Sequence, residues 1–148
     1  MTALDSLDQQ LLQLLGADAR QSSETLAKRL HVSPSTVRRR LRRLIQSNVA
    51  HISVLVDPIQ AGFPLRTVIA LDIAHEKLES ALQKLAGYSP VKWVSTTIGR
   101  FDVLILAVFH STDELSDFVQ RELLNIEGLR DSETFVCLQV KKGSYVQM

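Results

Sequence analysis

Five arginines, Arg38, Arg39, Arg40, Arg42 and Arg43, crowd into the segment Ser33–Gln46, and no acidic residue occurs between Glu24 and Asp57. A guanidinium offers planar, permanently charged donors that fit phosphate oxygens and guanine edges, and the hydroxyls of Ser33, Ser35 and Thr36 suit either target. Behind them Val37, Leu41, Leu44 and Ile45 recur at helical spacing and make one apolar stripe. At about 100° per residue, Ser35, Thr36, Arg39, Arg43 and Gln46 fall on the opposite face. A short helix with a packed back and a cationic front suits the major groove of double-stranded DNA. As a merely solvated helix it would leave five cations repelling one another without a counter-charge. The expected DNA-contacting set is Ser33, Ser35, Thr36, Arg38, Arg39, Arg40, Arg42 and Arg43.

The segments before this helix supply its support. A first helix begins near Asp5, carries Leu7, Leu11, Leu12, Leu14 and Leu15, and is expected to stop at Gly16. Ser22 or Ser23 can cap a second short helix holding Leu26, Ala27 and Leu30. After the turn His31-Val-Ser33, the Ser33-Pro34 pair opens the basic helix as an N-cap followed by a first-turn proline. Two short helices with a tight turn between them, the second one basic, form a helix-turn-helix. Asn48 can take the left-handed conformation that ends a helix, and the β-rich residues 49–56 are expected to give a wing or connecting strand. His31 and His51 stand alone, without a second ligand at metal-binding spacing, so no metal is expected.

Charge divides the chain in the same way. Residues 1–56 hold eight Lys/Arg and four Asp/Glu, whereas residues 57–148 hold nine and twelve. The overall charge of +1 therefore hides a basic N-terminal part and a mildly acidic C-terminal one. The 148 residues, 45% of them apolar, can form one or two small cores. The expected division is a DNA-binding domain over 1–56, a linker over 57–64 and a second domain over 65–148, with Asp57-Pro58 and Gly62-Phe-Pro64 as punctuation. A single cysteine, Cys137, excludes an intramolecular disulfide. With no cationic apolar leader and no run of membrane-spanning length, a soluble cytoplasmic protein without a membrane partner is expected.

The second part reads as βαββαβ: strand 65–74, a helix with Leu78, Ala81, Leu82 and Leu85 closed by Gly87, and strand 91–98. The turn Gly99-Arg-Phe-Asp102 leads to strand 103–109, a helix with Leu115, Phe118, Val119, Leu123 and Leu124, and a final strand 134–140. This order is that of a ferredoxin-like sandwich, so the whole chain is α+β. In Val103–Phe109 both alternating faces are apolar, as they are in Val68–Leu71. Two helices cover one face of such a sheet, and an antiparallel face left in water should be polar. No segment remains to cover the second face, so a second copy of the chain is the expected cover. A homodimer also lets two helix-turn-helix units read a two-fold site.

With both parts placed, the sequence resembles the Lrp/AsnC family of transcriptional regulators. The resemblance rests on Leu4-Asp5, Asp8, Arg20, Leu26-Ala27, Ser33, Ser35, Val37, Arg39-Arg40-Leu41 and Arg43-Leu44, then on Gly99-Arg-Phe-Asp102 and Glu127-Gly128-Leu129. It implies a winged helix-turn-helix and a ferredoxin-like domain that dimerises and assembles into higher oligomers such as octamers. It also implies a small-molecule effector, commonly an amino acid, held between subunits. Carried over position by position, the effector residues are Gly99, Arg100, Phe101, Asp102, Ser132 and Thr134. The chemistry agrees: a glycine loop offers backbone N–H groups to a carboxylate, and Asp102 with hydroxyls can receive an ammonium group. A tight hairpin would use Gly and Asp at these places for the turn alone. Three departures stand out: Asn48-Val-Ala50 where Gly-Val-Ile is common, Ser132 where threonine is common, and Arg100 where small or acidic residues are frequent. Arg100 would favour an acidic ligand or form an internal ion pair with Asp102.

The expected function is thus a DNA-binding transcriptional regulator modulated by an amino acid or related metabolite. The alternative is an architectural DNA-wrapping protein without an effector. No paired acid and base, metal cluster, phosphate-cradling glycine loop or cysteine–histidine pair is visible, so neither catalysis nor a cofactor is expected.

Overall fold

The computed structural model describes residues 4–143, 146 and 147, which divide after Ser53 into two compact units. The first holds α1 (Ser6–Ala17), α2 (Ser23–Leu30) and α3 (Pro34–Gln46). Each starts at a side-chain cap. The Asp8 N–H donates to Asp5 Oδ1 at 2.9 Å, and the Asp5 N–H returns to Asp8 Oδ2 at 3.4 Å, a capping box. Ser22 Oγ accepts from the Thr25 N–H and Ser33 Oγ from the Thr36 N–H, at 3.1 and 3.2 Å. His31 and Asn48 both take the left-handed conformation, at φ 54°.

Helix α1 runs through Gly16, contrary to expectation, and ends at Asp18. Its terminal carbonyls are satisfied otherwise: Leu14 O accepts from the Asp18 N–H at 3.1 Å and from Gln21 Nε2 at 2.8 Å. Leu11, Leu26, Ala27, Val37 and Leu44 form the core. The wing or connecting strand expected over 49–56 does not form. Residues 49–55 hold no strand, and Val56 makes an isolated antiparallel bridge to Val146 within the second unit. A strand requires a partner, and among the described residues the first unit offers none.

The second unit contains β1 (Leu65–Ile73), a 3₁₀ turn (His75–Lys77), α4 (Leu78–Ala86), β2 (Val91–Thr96), β3 (Val103–Phe109), α5 (Thr112–Asp117) and β4 (Leu129–Val136). The sheet is antiparallel throughout, in the order β2-β3-β1-β4, as the ferredoxin-like reading requires. Ile69, Leu71, Ile73, Val103, Ile105 and Phe109 pack against Ala81, Leu85, Phe118, Leu123 and Ile126. After α5 the chain continues as a π-helical segment, Phe118–Leu123, and the Leu124 N–H bonds to Val119 O. This register leaves Leu123 fully buried and Leu124 exposed, although both belong to the apolar pattern read for this helix.

The last strand lies earlier than expected, over Leu129–Val136, because Gly128 turns the chain directly into it. Gly128 has φ +84°, and a Cβ there would lie 2.7 Å from Lys77 Cβ. Gly128→Ala is therefore expected to destabilise the second unit by about 1–2 kcal/mol through strain and that collision. A thermal melt unchanged from wild type would refute this.

On the sheet face away from the helices, Trp93, Leu106, Val68 and Phe135 stand in register across all four strands. Trp93 is 51% exposed and Phe135 48%. The chain covers part of this face itself, which the residue pattern alone does not reveal. Arg66 on that face donates to Gly143 O at 3.1 Å, so residues near the C-terminus cross it there. The row from Trp93 to Phe135 remains open.

Candidate nucleic-acid interface and ligand loop

Helix α3 begins with a hydroxyl cluster. Ser33 Oγ lies 2.8 Å from Ser35 Oγ and 2.9 Å from Thr36 Oγ1, so the cap residue holds both neighbours at the helix N-terminus. This end carries the positive pole of the helix and its free N–H groups, which attract phosphate.

The arginines part into three kinds. Arg38 meets Glu24 at 3.2 Å in an exposed pair of little energetic weight. Arg40 and Arg43 turn back onto α1. Arg40 Nη1 donates to Asp5 Oδ2 at 2.6 Å and to Asp8 Oδ1 at 2.9 Å, while Arg43 Nη2 bonds Asp8 Oδ2. Asp8 is fully buried and the Arg40 side chain only 20% exposed. Arg39 and Arg42 are exposed and make no ion pair among the described residues. The cationic front is thus compensated at three positions by Asp5, Asp8 and Glu24, which the acid-free window from 25 to 56 concealed. Arg40 is the clearest correction: expected among the DNA-contacting residues, it turns its guanidinium onto α1 instead. Arg43 lies between, paired yet half exposed.

The Arg40 guanidinium holds the Asp5 carboxyl below its ordinary range, helped by the hydrogen bond from the Asp8 N–H. A carboxyl depressed on folding contributes stability above its unfolded pKa and loses it as pH falls through the folded value. For Asp5 that loss belongs to strongly acid solution.

In the second unit, the loop from Thr97 to Asp102 is tied at both ends. The Thr97 N–H donates to Asp102 O at 2.9 Å, and Thr97 Oγ1 donates to Phe101 O at 2.5 Å. The Asp102 N–H donates to Leu71 O at 3.0 Å, and Asp102 Oδ2 accepts from the Ile73 N–H at 2.9 Å. Asp102 therefore staples the loop to β1 beside the register shift at Asp72/Ile73. Gly99 has no positive φ, and a Cβ there would meet open space. The turn itself does not demand glycine.

Arg100 does not pair with Asp102. Its guanidinium sits 3.9 Å from both Asp131 and Glu133 and 4.9 Å from the centre of the Phe101 ring. Register places Asp131 and Glu133 opposite Asp72 and Ala70, on the open face of the sheet. Ser132 and Thr134 instead stand opposite Leu71 and Ile69, on the helix side. One chain therefore does not gather the six expected effector residues into a single cluster. The carboxylates beside Arg100 had no signal in the sequence beyond their alternation with Ser132 and Thr134. Among the described residues no helix is long and apolar enough to cross a membrane.

Comparison with known proteins agrees with both units. Residues 4–45 match the AsnC-type helix-turn-helix domain and residues 67–146 the Lrp/AsnC ligand binding domain. An HTH-type transcriptional regulator of Pyrococcus furiosus is 32% identical over 146 residues, covering 98% of this chain and 99% of its own. The structure of AsnC from E. coli superimposes with a TM-score of 0.86 at 27% identity, covering 94% of this chain and 95% of that one. A Neisseria meningitidis transcriptional regulator in complex with L-Met gives 0.86 at 26% identity, covering 95% and 93%. Two domains in this order, matched over almost the whole length, place the chain in the Lrp/AsnC family of DNA-binding transcription regulators.

Proposed function

We propose that the protein binds operator DNA through α3 as a homodimer or higher oligomer, and that an amino acid held by the C-terminal domain modulates this binding. The observation that carries the DNA part is the outer surface of α3, where among the described residues Ser35, Thr36, Arg39 and Arg42 stand without carboxylate partners, while Arg40 turns onto α1 and Arg43 is paired with Asp8. The dimer rests on the open apolar row from Trp93 to Phe135, which water covers poorly and a second copy would cover well. The effector part is supported by the ligand-binding-domain match and by the related regulator solved with L-Met. Gly99 supports it too, since the turn leaves that glycine unexplained and a close approach from outside would explain it.

Fluorescence anisotropy on labelled fragments of the gene's own upstream region, with and without each of the twenty amino acids, tests the whole reading. An amino acid that changes affinity or footprint supports it. Tight binding indifferent to all twenty would instead favour an effector-independent DNA-wrapping protein. The Arg39→Ala, Arg42→Ala double variant should bind more weakly and flatten the dependence of log affinity on log salt by about 0.9 for each phosphate no longer neutralised. Wild-type affinity and slope in the folded double variant would remove α3 from the interface.

A further inference from the structure

We infer that Asp8 is a positioning residue for DNA binding: it takes Arg40 and Arg43 out of phosphate neutralisation and so limits how many cations α3 presents. The inference rests on the proposed DNA-binding role of α3. Asp8 belongs to α1 and is fully buried, yet it is charged. Its part in the capping box is slight, since the bond from the Asp5 N–H spans 3.4 Å. Each of its oxygens is instead committed to an arginine, Oδ1 to Arg40 and Oδ2 to Arg43. Those arginines are one helical turn apart and share a face, so one carboxylate can hold both. Asp5 adds a second acceptor for Arg40 at 2.6 Å. Arg40 is mostly buried against these carboxylates and Arg43 is half exposed, but in both the positive charge is already balanced by Asp8, so little is left to neutralise a phosphate and displace its counterion.

The consequence concerns specificity. Phosphate contacts bind every sequence alike, whereas base contacts discriminate. An α3 with five free arginines would hold any duplex tightly. With Arg40 and Arg43 withdrawn and Arg38 paired to Glu24, Ser35, Thr36, Arg39 and Arg42 carry a larger share of the contact, and non-specific affinity is held down. Asp8 acts only through the arginines and touches no DNA.

The test is binding of the full chain to a mixed-sequence 40-base-pair duplex between 50 and 300 mM KCl, read as the slope of log affinity against log salt. Asp8→Asn keeps the shape and removes the charge, and should steepen the slope by about one to two units. Arg40→Gln and Arg43→Gln should leave the slope at its wild-type value, whereas Arg39→Gln should flatten it by about 0.9. A merely structural role for Asp8 would move the melting temperature but not the slope. Either Arg40→Gln or Arg43→Gln flattening the slope as Arg39→Gln does would overturn the inference, as would a folded Asp8→Asn with the wild-type slope. Should Asp8→Asn fail to fold, the two glutamine variants decide alone. Failure of the DNA-binding reading has a separate signature: Arg39→Gln leaves the slope unchanged, or the wild type does not bind, and the inference then falls with it.

Discussion

A Leu106→Asp chain is expected to sediment as a monomer at micromolar concentration, where the wild type sediments as a dimer or larger. Leu106 pairs with Trp93 on one side and Val68 on the other, and Val68 pairs with Phe135, so it lies inside the open apolar row. Burying each such side chain against a second copy is worth about 1.5–3 kcal/mol. A carboxylate forced into that contact without a partner costs several kcal/mol, and about 4 kcal/mol already raises a dissociation constant roughly a thousandfold. Ile105, its neighbour in sequence, points into the helix-side core and is fully buried. Ile105→Asp should therefore lower the melting temperature of the subunit itself, while Leu106→Asp should leave a folded monomer. Operator affinity should fall with assembly, because two linked helix-turn-helix units read a two-fold site together. A wild-type chain that is already monomeric, or a Leu106→Asp chain that still dimerises, would contradict the assignment of this face.

Different parts of the molecule were legible for different physical reasons. Helix α3 was plain because its signals are local: a Ser33-Pro34 start, an apolar stripe at helical spacing and Asn48 at the end. Strands β1 and β3 were plain because each holds an unbroken apolar run, Val68–Leu71 and Val103–Phe109, of strand length. Strand β4 was misplaced because it is an edge strand whose first half, Arg130-Asp-Ser-Glu-Thr134, is polar and resembles a loop. The wing failed because a run of β-branched residues shows propensity, whereas a strand needs a partner.

The site followed the same division. Residue types on α3 pointed to DNA, but their pairing was hidden. Asp5 and Asp8 lie 35 and 32 residues from Arg40, and counting charge within one window misses carboxylates delivered by a neighbouring helix. The turn Gly99–Asp102 could be placed by its residues. That Arg100 reaches Asp131 and Glu133 could not, because the contact spans from the β2–β3 loop to an edge strand whose register was unknown.

Asp102→Asn now separates a ligand role from a structural one, because the structure identifies what else Asp102 does. Its Oδ2 accepts the Ile73 N–H, and an asparagine carbonyl can accept the same hydrogen bond. The loop should therefore keep its shape, and the melting temperature should stay close to wild type. The negative charge goes. If Asp102 receives a ligand ammonium, the missing charge-assisted bond is worth about 1.5–3 kcal/mol, a roughly ten- to hundredfold loss of affinity. Arg100 is occupied with Asp131, Glu133 and Phe101 and does not neutralise Asp102, so the variant frees no partner that would confuse the result. Asp102→Ala serves as the contrast, since it removes the acceptor for Ile73 as well and should lower both stability and affinity. Isothermal titration with the amino acid identified by the anisotropy screen reads the affinity, and a thermal melt of the same samples reads the loop. Unchanged ligand affinity in a folded Asp102→Asn chain would leave Asp102 as the staple between the loop and β1, and place the ammonium site elsewhere.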